Sequence, residues 1–382
     1  MRLKDICTIF IDGDWIESKD QSDEGIRLIQ TGNIGEGIYL EKETRAKYIS
    51  EDTFEKLKCT EVYPGDILVS RLPEPVGRAC IIPEKKERMI TAVDCTICRP
   101  DKSIVSKEYL CYFMRSNAYY ARLLGSVTGT TRKRISRKNL GNVELDIPSK
   151  KVQKEVVKQL DCLVSAIDSR TKELQLLDDL IKARFVEMFG CIHDGRFDMK
   201  TLLEIVNDDK NSIKRGPFGG ALKKEDFVED GYLVYEQRHA IHNDFEYAKY
   251  YINQEKYEDM IGFKVIPGDL IISCSGVTLG RIAEVPEGAK EGIINQALLK
   301  LSLNPHIMMN TFFIQQFRGE EIQNILFGFS RGSGIPNMPS MSEVKAVKFI
   351  CPPLELQKEY CDFVHQVDKS KVAVQKALDE TK

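Results

Sequence analysis

The sequence of 382 residues is long enough for two or three domains, and its 42% hydrophobic and 30% charged residues indicate a folded chain. We expect neither a membrane protein nor a secreted one, because no apolar run approaches roughly 20 residues and the N-terminus lacks an apolar signal core. The net charge of −3 excludes an evenly basic surface, and the 11 scattered cysteines favour reduced thiols in the cytoplasm.

The second half of the chain repeats the first at a distance of about 203 positions. The matching segments include Val62–Ser70 with Val265–Ser273, Gly77-Arg78 with Gly280-Arg281, Tyr48–Glu51 with Tyr251–Gln254, and Gln153–Glu155 with Gln357–Glu359. The pairs occur in the same order in both halves, although the last pair is displaced by one further position. A collinear set of this length indicates a tandem duplication of one structural unit.

Each unit opens with a mixed α+β domain, and we call these the first head (residues 1–150) and the second head (residues 195–352). Apolar runs after Pro-Gly turns predict strands over 66–70 and 270–273, with Gly65 and Gly268 as turn residues. Residues 107–124 favour helix. A further apolar strand is predicted to close each head, at 143–148 and at 347–352.

A long amphipathic helix is predicted after each head, at residues 151–190 and 353–382. In the first of these, apolar residues recur at helical spacing, and neither Pro nor Gly occurs between Ser149 and Phe189. Such a helix would span roughly 55 Å, and the second helix is shorter. An apolar stripe of this length needs a partner, so we expect the two helices to pack on each other and separate the heads. Two ordinary core helices are the less favoured alternative.

No motif in the sequence predicts a catalytic centre. Cys95 and Cys98 form a C-x-x-C without the second ligand pair that a structural zinc site needs, and His239 and His242 are better explained as packed or solvated. The glycine-rich run at 216–220 fails the spacing of a phosphate-binding loop. We therefore expect a binding protein that holds no metal and no cofactor.

The strongest binding signal is the run Thr128–Lys138, which holds several positive charges and no negative one. Its hydroxyls, glycine and arginines are the usual donors to phosphates and base edges, so a nucleic-acid loop is favoured over a solvated charge run. The equivalent run in the second head, Phe329–Pro336, is again rich in Gly and Ser but has a single Arg. We expect two heads that share a scaffold and read different targets.

The ordered set of features resembles the specificity subunit of type I restriction–modification systems, and the resemblance covers essentially the whole chain. It depends on the repeated Pro-Gly-Asp strands, the Gly-Arg pairs, the run Gly216–Leu222, and a proline-containing head end followed by Gln-Lys-Glu and a long helix. The resemblance implies two target-recognition domains in tandem, each reading one half of a bipartite double-stranded DNA sequence. It also implies that the two long helices form an antiparallel coiled coil.

The same resemblance implies that this chain is not itself an enzyme. Two methyltransferase subunits would dock on the helices, bind S-adenosylmethionine and methylate N6 of adenine in each half-site. Motor and nuclease subunits of the same system would cut unmodified DNA.

Particular residues are predicted to contact DNA in each head. The first half-site is assigned to Thr130, Thr131, Arg132, Lys133, Arg134 and Arg137, and the second to Ser330, Arg331 and Ser333. Residues that follow the repeated strand are expected to face a groove: Ser70, Arg71, Ser273 and Ser275. The phosphate candidates are Lys214, Arg215, Lys223 and Lys224.

Two other functions stay open on the sequence alone. One is the recognition half of a methyltransferase–nuclease enzyme, and the other is a coiled-coil adaptor that binds no DNA. The salt dependence of DNA binding separates the adaptor from a specificity subunit, because phosphate contacts release counterions and weaken steeply as salt rises.

Overall fold

A computed structural model describes residues 1–129, 133–191, 194–328 and 336–381 of the chain. Contacts divide the chain into two compact units, Met1–Asp168 and Ser169–Lys382. Each unit holds one head, and the division falls inside a long helix. The finer division into heads and spacer helices stays a prediction. No helix within the described ranges combines the length and the apolar character needed to cross a membrane.

The first unit is built from short strands and helices. Its strands are β1 (Cys7–Asp12), β2 (Ile26–Ile29), β3 (Tyr48–Ile49), β4 (Glu61–Val62), β5 (Ile67–Ser70), β6 (Ala79–Ile81), β7 (Met89–Thr91) and β8 (Cys95–Pro100). Its helices are α1 (Glu51–Leu57), α2 (Lys107–Phe113), α3 (Asn117–Leu124), α4 (Arg137–Gly141) and the first part of α5 (Lys150–Phe189). One four-stranded sheet has the order β1-β8-β5-β6 and the other has the order β3-β2-β7-β4.

The first sheet lies between two parts of the core because its central strand β5 is apolar on both faces. Ile67 and Val69 point to one side, where they pack with residues of helices α2, α3 and α4. Leu68 points to the other side and packs with Ile29 and Met89 of the second sheet. The alternation of side chains along a strand explains why a continuous apolar run is needed here.

The second unit contains the remaining elements. Its strands are β9 (Met199–Thr201), β10 (Ile213–Arg215), β11 (Phe227–Val228), β12 (Tyr232–Tyr235), β13 (Tyr251–Ile252), β14 (Lys264–Val265), β15 (Leu270–Ser273), β16 (Ile282–Glu284), β17 (Gly292–Ile294), β18 (Leu298–Leu301) and β19 (Lys348–Ile350). Its helices are the rest of α5, α6 (Leu202–Ile205), α7 (Gln237–His242), α8 (Gln254–Asp259), α9 (Asn310–Arg318), α10 (Glu320–Phe327), α11 (Met341–Ala346) and α12 (Leu354–Asp379).

The two heads have the same sheet topology. The order β10-β18-β15-β16 in the second head repeats β1-β8-β5-β6, and the order β13-β12-β17-β14 repeats β3-β2-β7-β4. The parallel pair β12–β17 corresponds to the parallel pair β2–β7 among otherwise antiparallel neighbours. The second head adds strand β11 and a two-stranded sheet of β9 and β19. The internal duplication predicted from the sequence is therefore present in the fold.

The strands predicted after the Pro-Gly turns are confirmed as β5 and β15. Gly65 and Gly268 have φ values of 91° and 87°, which suit glycine and confirm both as turn residues. The strand predicted at 347–352 is present as β19, which pairs with β9. The strand predicted at 143–148 is wrong, because only an isolated bridge between Arg2 and Glu144 forms there.

The helix favoured over residues 107–124 is two helices, α2 and α3. The chain turns between them at Ser116, whose hydroxyl accepts a hydrogen bond from Tyr119 N at 3.1 Å and caps α3. A capping serine satisfies a free N–H at the start of a helix, so it favours a new helix rather than continuation of the old one.

Within the second unit, α5 and α12 run antiparallel. Ile181 O accepts a hydrogen bond from Tyr360 at 3.2 Å, and Arg170 Nη1 donates to Ala377 O at 2.8 Å. Later residues of α12 therefore lie beside earlier residues of α5. Tyr360 packs edge-on against Phe185 and Phe189, with ring centroids 5.5 Å apart in each pair. The antiparallel packing of the long helices is confirmed for this stretch. The second helix is also the shorter, with 26 residues against 40.

Candidate nucleic-acid interface

One edge of the first sheet in the first head gathers the ends of four strands. β1 ends at Asp12 and β5 ends at Ser70, beside the starts of β8 at Cys95 and β6 at Ala79. We call the segments at these strand ends, residues 12–15, 70–77 and 92–95, the first loop edge.

The basic run of the first head is attached to the first loop edge. Thr128 and Arg134 form a two-way backbone bridge with N–O distances of 2.9 and 2.8 Å. Next to it, Ile135 N donates to Arg71 O at 3.2 Å, and the Arg71 guanidinium donates to Ile135 O at 3.3 Å. The predicted contacts Thr130, Thr131 and Arg132 lie outside the described residues.

The described cations of this run face solvent. Lys133, Arg134 and Arg137 are all exposed. The Arg134 guanidinium lies 3.1 Å from Asp94, and its side chain is half exposed. Exposed ion pairs of this kind are worth only about 0–1 kcal/mol, so Arg134 can exchange Asp94 for a phosphate or a base edge at little cost.

The second head has an equivalent edge, which we call the second loop edge: residues 215–218, 273–280 and 295–298. Gly216 N donates to Leu298 O at 2.8 Å, and Cys274 N donates to Ala297 O at 2.9 Å. The chain that follows residues 329–335 returns to this edge, where Met338 N donates to Cys274 O at 2.8 Å. Ile135, which follows α3 in the first head, and Met338, which follows α10 in the second head, thus bond to equivalent edges. The predicted contacts Ser330, Arg331 and Ser333 lie outside the described residues.

Three predicted groove-facing residues are internal, which corrects the expectation for them. Ser70 and Ser273 have no exposed surface, and their hydroxyls bond to nearby backbone atoms of their own loops. Arg71 is 5% exposed, lies 3.3 Å from Asp12 and donates to Val93 O at 2.6 Å. These groups hold the loops together, because buried polar atoms take partners inside the protein.

Ser275 lies at the second loop edge, half-buried, as expected of a residue that follows the repeated strand. Gln237 Nε2 donates to its hydroxyl at 2.8 Å. Gln237 begins α7 and was not recognised from the sequence. Its Nε2 also donates to Ser275 O and to Ala297 O, each at 3.3 Å, so this amide ties α7 to the second loop edge.

The two loop edges differ in charge at equivalent positions. Asp12 and Arg71 form an ion pair in the first head, whereas the repeat places Arg215 and Cys274 at those two positions in the second. Among the described residues no hydrogen-bond partner is found for Arg215 Nε, and the guanidinium lies over the ring of Phe218 at 5.9 Å. The second loop edge therefore carries an arginine where the first carries a neutralised acid.

The other phosphate candidates of the second head, Lys214, Lys223 and Lys224, make different contacts. Lys214 packs over the ring of Phe263 at 4.8 Å. Lys223 is exposed and lies 3.4 Å from Glu225. Lys224 is exposed and lines the cavity described next.

A cavity of about 560 Å³ opens beside the second loop edge. Lys224, Glu236, Asn295 and Gln296 contribute polar groups to its wall, and Tyr250 contributes a ring. Asparagine and glutamine are the side chains that pair with adenine edges. Sequence reasoning missed Asn295 and Gln296, although the two copies differ there, with Ala92 and Val93 at the repeated positions of the first head.

Each loop edge also presents one large exposed aromatic side chain. Trp15 is 70% exposed and Phe218 is 74% exposed, and the two occupy equivalent positions of the repeat. A glycine precedes each by two residues. A Cβ at Gly13 would lie 2.3 Å from Thr91 O, and one at Gly216 would lie 1.8 Å from Asn295 O, so any other residue would force the neighbouring backbone to move.

Of the residues that were considered as ligands, Cys95, Cys98 and His239 belong to the core, whereas His242 is exposed. Cys95 and Cys98 lie buried in β8, and burial raises the pKa of the Cys95 thiol to about 12. His239 is buried, with Nδ1 2.9 Å from Glu236 N and Nε2 2.9 Å from Tyr247 O. Within the parts of the chain that are described, no three His, Cys, Asp or Glu residues are grouped as a metal would need.

A family model described as the type I restriction modification DNA specificity domain matches residues 1–178 and 217–381. The two matches correspond to the two repeats. The chain belongs to this family. The first match covers the first head and most of α5, and the second covers most of the second head and α12.

Curated relatives and solved structures are similar to this chain over much of its length. The StySPI specificity subunit of a type I restriction enzyme from Salmonella potsdam is 22% identical over 72% of this chain. The putative MjaX specificity subunit from Methanocaldococcus jannaschii is 22% identical over 43% of it. The chain spans 60% and 40% of the lengths of these two relatives.

Two solved structures share the fold. A chain from a type I R-M system, studied for its complex assembly and conformational transition, superposes with a TM-score of 0.61 at 15% identity. The S subunit of a type I restriction–modification system from M. genitalium gives 0.54 at 14% identity. Each match covers 100% of this chain and 92% of the other.

Proposed function

We propose that this chain is the DNA-specificity subunit of a type I restriction–modification complex, in which each loop edge reads one half of a bipartite target. One observation carries the proposal: the two heads repeat a single sheet topology but differ in charge and hydrogen-bonding groups at the loop edge. A duplicated scaffold with divergent edges is what two readers of different half-sites require.

In the first head, Lys133, Arg134 and Arg137 are the described groups that would meet DNA. In the second head, Arg215 and Ser275 would do so, and the cavity beside them supplies amide groups. Arginine and lysine would bind phosphates and guanine edges, whereas Asn295 and Gln296 suit adenine edges. Different half-site sequences follow from these different sets.

The chain would recognise DNA while partner subunits carry out the reactions. Methyltransferase subunits would bring S-adenosylmethionine, and motor and nuclease subunits would cut unmodified DNA in the cytoplasm. Docking on helix α5 is supported by its exposed apolar side chains, which are Val152, Leu163, Leu176, Leu180 and Val186. Exposed apolar side chains on a long helix favour association with another protein surface.

The test is sequencing of adenine methylation in cells that express the chain with its methyltransferase subunits, compared with cells that express those subunits alone. We expect one bipartite motif, two short half-sites around a fixed gap, to be methylated only when the chain is present. An unchanged methylation pattern in cells where all subunits are expressed would contradict the proposal.

A further inference from the structure

The same buried glutamine joins the helix to the head in both halves of the chain. In the first unit, Gln153 lies in the first turn of α5. Its Oε1 accepts from Ser106 N at 2.9 Å, and its Nε2 donates to Ile104 O at 3.0 Å and to Pro148 O at 2.9 Å. One amide thus ties the helix to the loop before α2 and to the proline that ends the head.

Gln357 repeats this arrangement in the first turns of α12. Its Oε1 accepts from Met309 N at 2.9 Å, and its Nε2 donates to Ile307 O at 3.0 Å and to Pro352 O at 2.8 Å. The partners are equivalent in the two units. Met309 precedes α9 as Ser106 precedes α2, and Pro352 ends the second head as Pro148 ends the first. We call each set of three bonds a glutamine joint.

Each glutamine joint is an angular constraint as well as a contact. Gln153 is 1% exposed and Gln357 is 0% exposed, so water cannot replace any of the bonds. Both N–H groups and the oxygen are used, and their fixed planar geometry allows one orientation of the helix relative to the head. An apolar side chain of similar size would fill the space but would leave that orientation free to vary.

We propose that Gln153 and Gln357 are positioning residues that set the direction in which each spacer helix leaves its head, and thereby the gap at which two half-sites are accepted. The inference rests on the proposed function. One base pair added to the gap rotates one half-site relative to the other by about 35°, since a turn of DNA takes about 10–10.5 base pairs. A rigid joint rejects that rotation, whereas a loosened one accommodates it.

The experiment compares Gln153→Met and Gln357→Met with a matched control, Gln316→Met. Gln316 is also buried and makes two bonds to one backbone residue, from Ile350 N at 2.7 Å and to Ile350 O at 3.2 Å, but it lies inside the second head. Each full-length variant is assembled with the methyltransferase subunits. Its dissociation constant is measured for duplexes that carry the target with its natural gap and with one base pair added or removed.

We expect the joint variants to lose about tenfold in the ratio of affinities for natural and altered gaps, the factor that corresponds to one or two lost hydrogen bonds. Discrimination against base changes within a half-site is expected to stay unchanged. The control should lose thermal stability but keep the wild-type gap ratio. The ratio of affinities for natural and altered gaps does not depend on what fraction of the protein is inactive. If the methionine variants fold poorly, Gln153→Glu and Gln357→Glu give a second measurement, because glutamate keeps the shape and removes both N–H donors.

A wild-type gap ratio in both the methionine and the glutamate variants would overturn the inference. An equal loss of gap discrimination in Gln316→Met would also overturn it, because general destabilisation would then be the cause. If the wild-type complex shows no dependence on the gap or on half-site sequence, the proposed function itself fails, and this outcome is distinguishable from the others.

Discussion

Arg71→Met tests whether this arginine belongs to the DNA surface, as its place after the repeated strand predicted, or to the interior. The substitution keeps most of the apolar stem and removes the guanidinium. It thereby deletes the bonds to Val93 O at 2.6 Å and to Ile135 O at 3.3 Å, and the ion pair with Asp12 at 3.3 Å. Both carbonyls belong to segments that form the first loop edge or hold the basic run against it.

The size of the effect follows from these contacts. Removing one member of a buried ion pair costs about 3–5 kcal/mol, and a hydrogen bond from a charged group is worth about 1.5–3 kcal/mol. These losses overlap, and Asp12 keeps a bond from Thr96 Oγ1 at 2.9 Å and remains partly exposed, which places the net loss near 3 kcal/mol. For a unit of this size, that corresponds to a fall in melting temperature of roughly 6–12 °C.

Differential scanning calorimetry and urea unfolding of the full-length variant measure this loss. Lys133→Met is the matched control, because Lys133 is an exposed cation of the basic run. We expect it to change the free energy of unfolding by less than about 0.5 kcal/mol while weakening DNA binding. If Arg71→Met lost less than about 1 kcal/mol and instead weakened DNA binding at unchanged stability, the internal role of Arg71 would be refuted.

Two further predictions concern the interface and the helix pair. Arg134→Ala should weaken DNA binding and, where its contact is a phosphate, lower the slope of log K against log salt by about 0.9. Lys102→Ala, beyond the opposite end of β8, should leave both the affinity and the slope unchanged. Equal effects of the two substitutions would contradict the assignment of DNA binding to the first loop edge. Tyr360→Ala should destabilise the second unit by about 3–5 kcal/mol in urea unfolding, because the ring fills the aromatic core. Tyr360→Phe should cost about 1 kcal/mol, because it removes only the hydrogen bond to Ile181 O. Equal losses in the two variants would show that the hydrogen bond, and not the ring, dominates.

Elements marked by their own residues were predictable. β5 and β15 combine a turn glycine with a run that is apolar on both faces, and α5 has an unbroken helical period. The strand predicted at 143–148 is wrong because an apolar run does not by itself supply a pairing partner. A strand forms only where another strand pairs with it, and the first head supplies a single bridge from Arg2 where the second head supplies the whole of β9.

In the candidate site, too, the sequence marked some positions, but only the fold showed what their side chains contact. Position after a repeated strand marked Ser70 and Arg71 as contacts, but it could not show that their partners are backbone atoms within the head. Asn295 and Gln296 were missed because no local pattern sets them apart. Only the fold places them beside a cavity with Lys224, which lies far from them in the sequence.

The sequence by itself determined the duplication, the alternation of heads and long helices, and the position of the basic run, because each is written in local composition, periodicity or direct repetition. The tertiary structure alone decided which polar groups are buried, which face solvent at the loop edges, and that a glutamine in each repeat locks helix to head. Burial and hydrogen bonding depend on partners that are distant along the chain: Gln153 bonds to Ser106 and Gln357 to Met309, and neither bond can be read from local sequence.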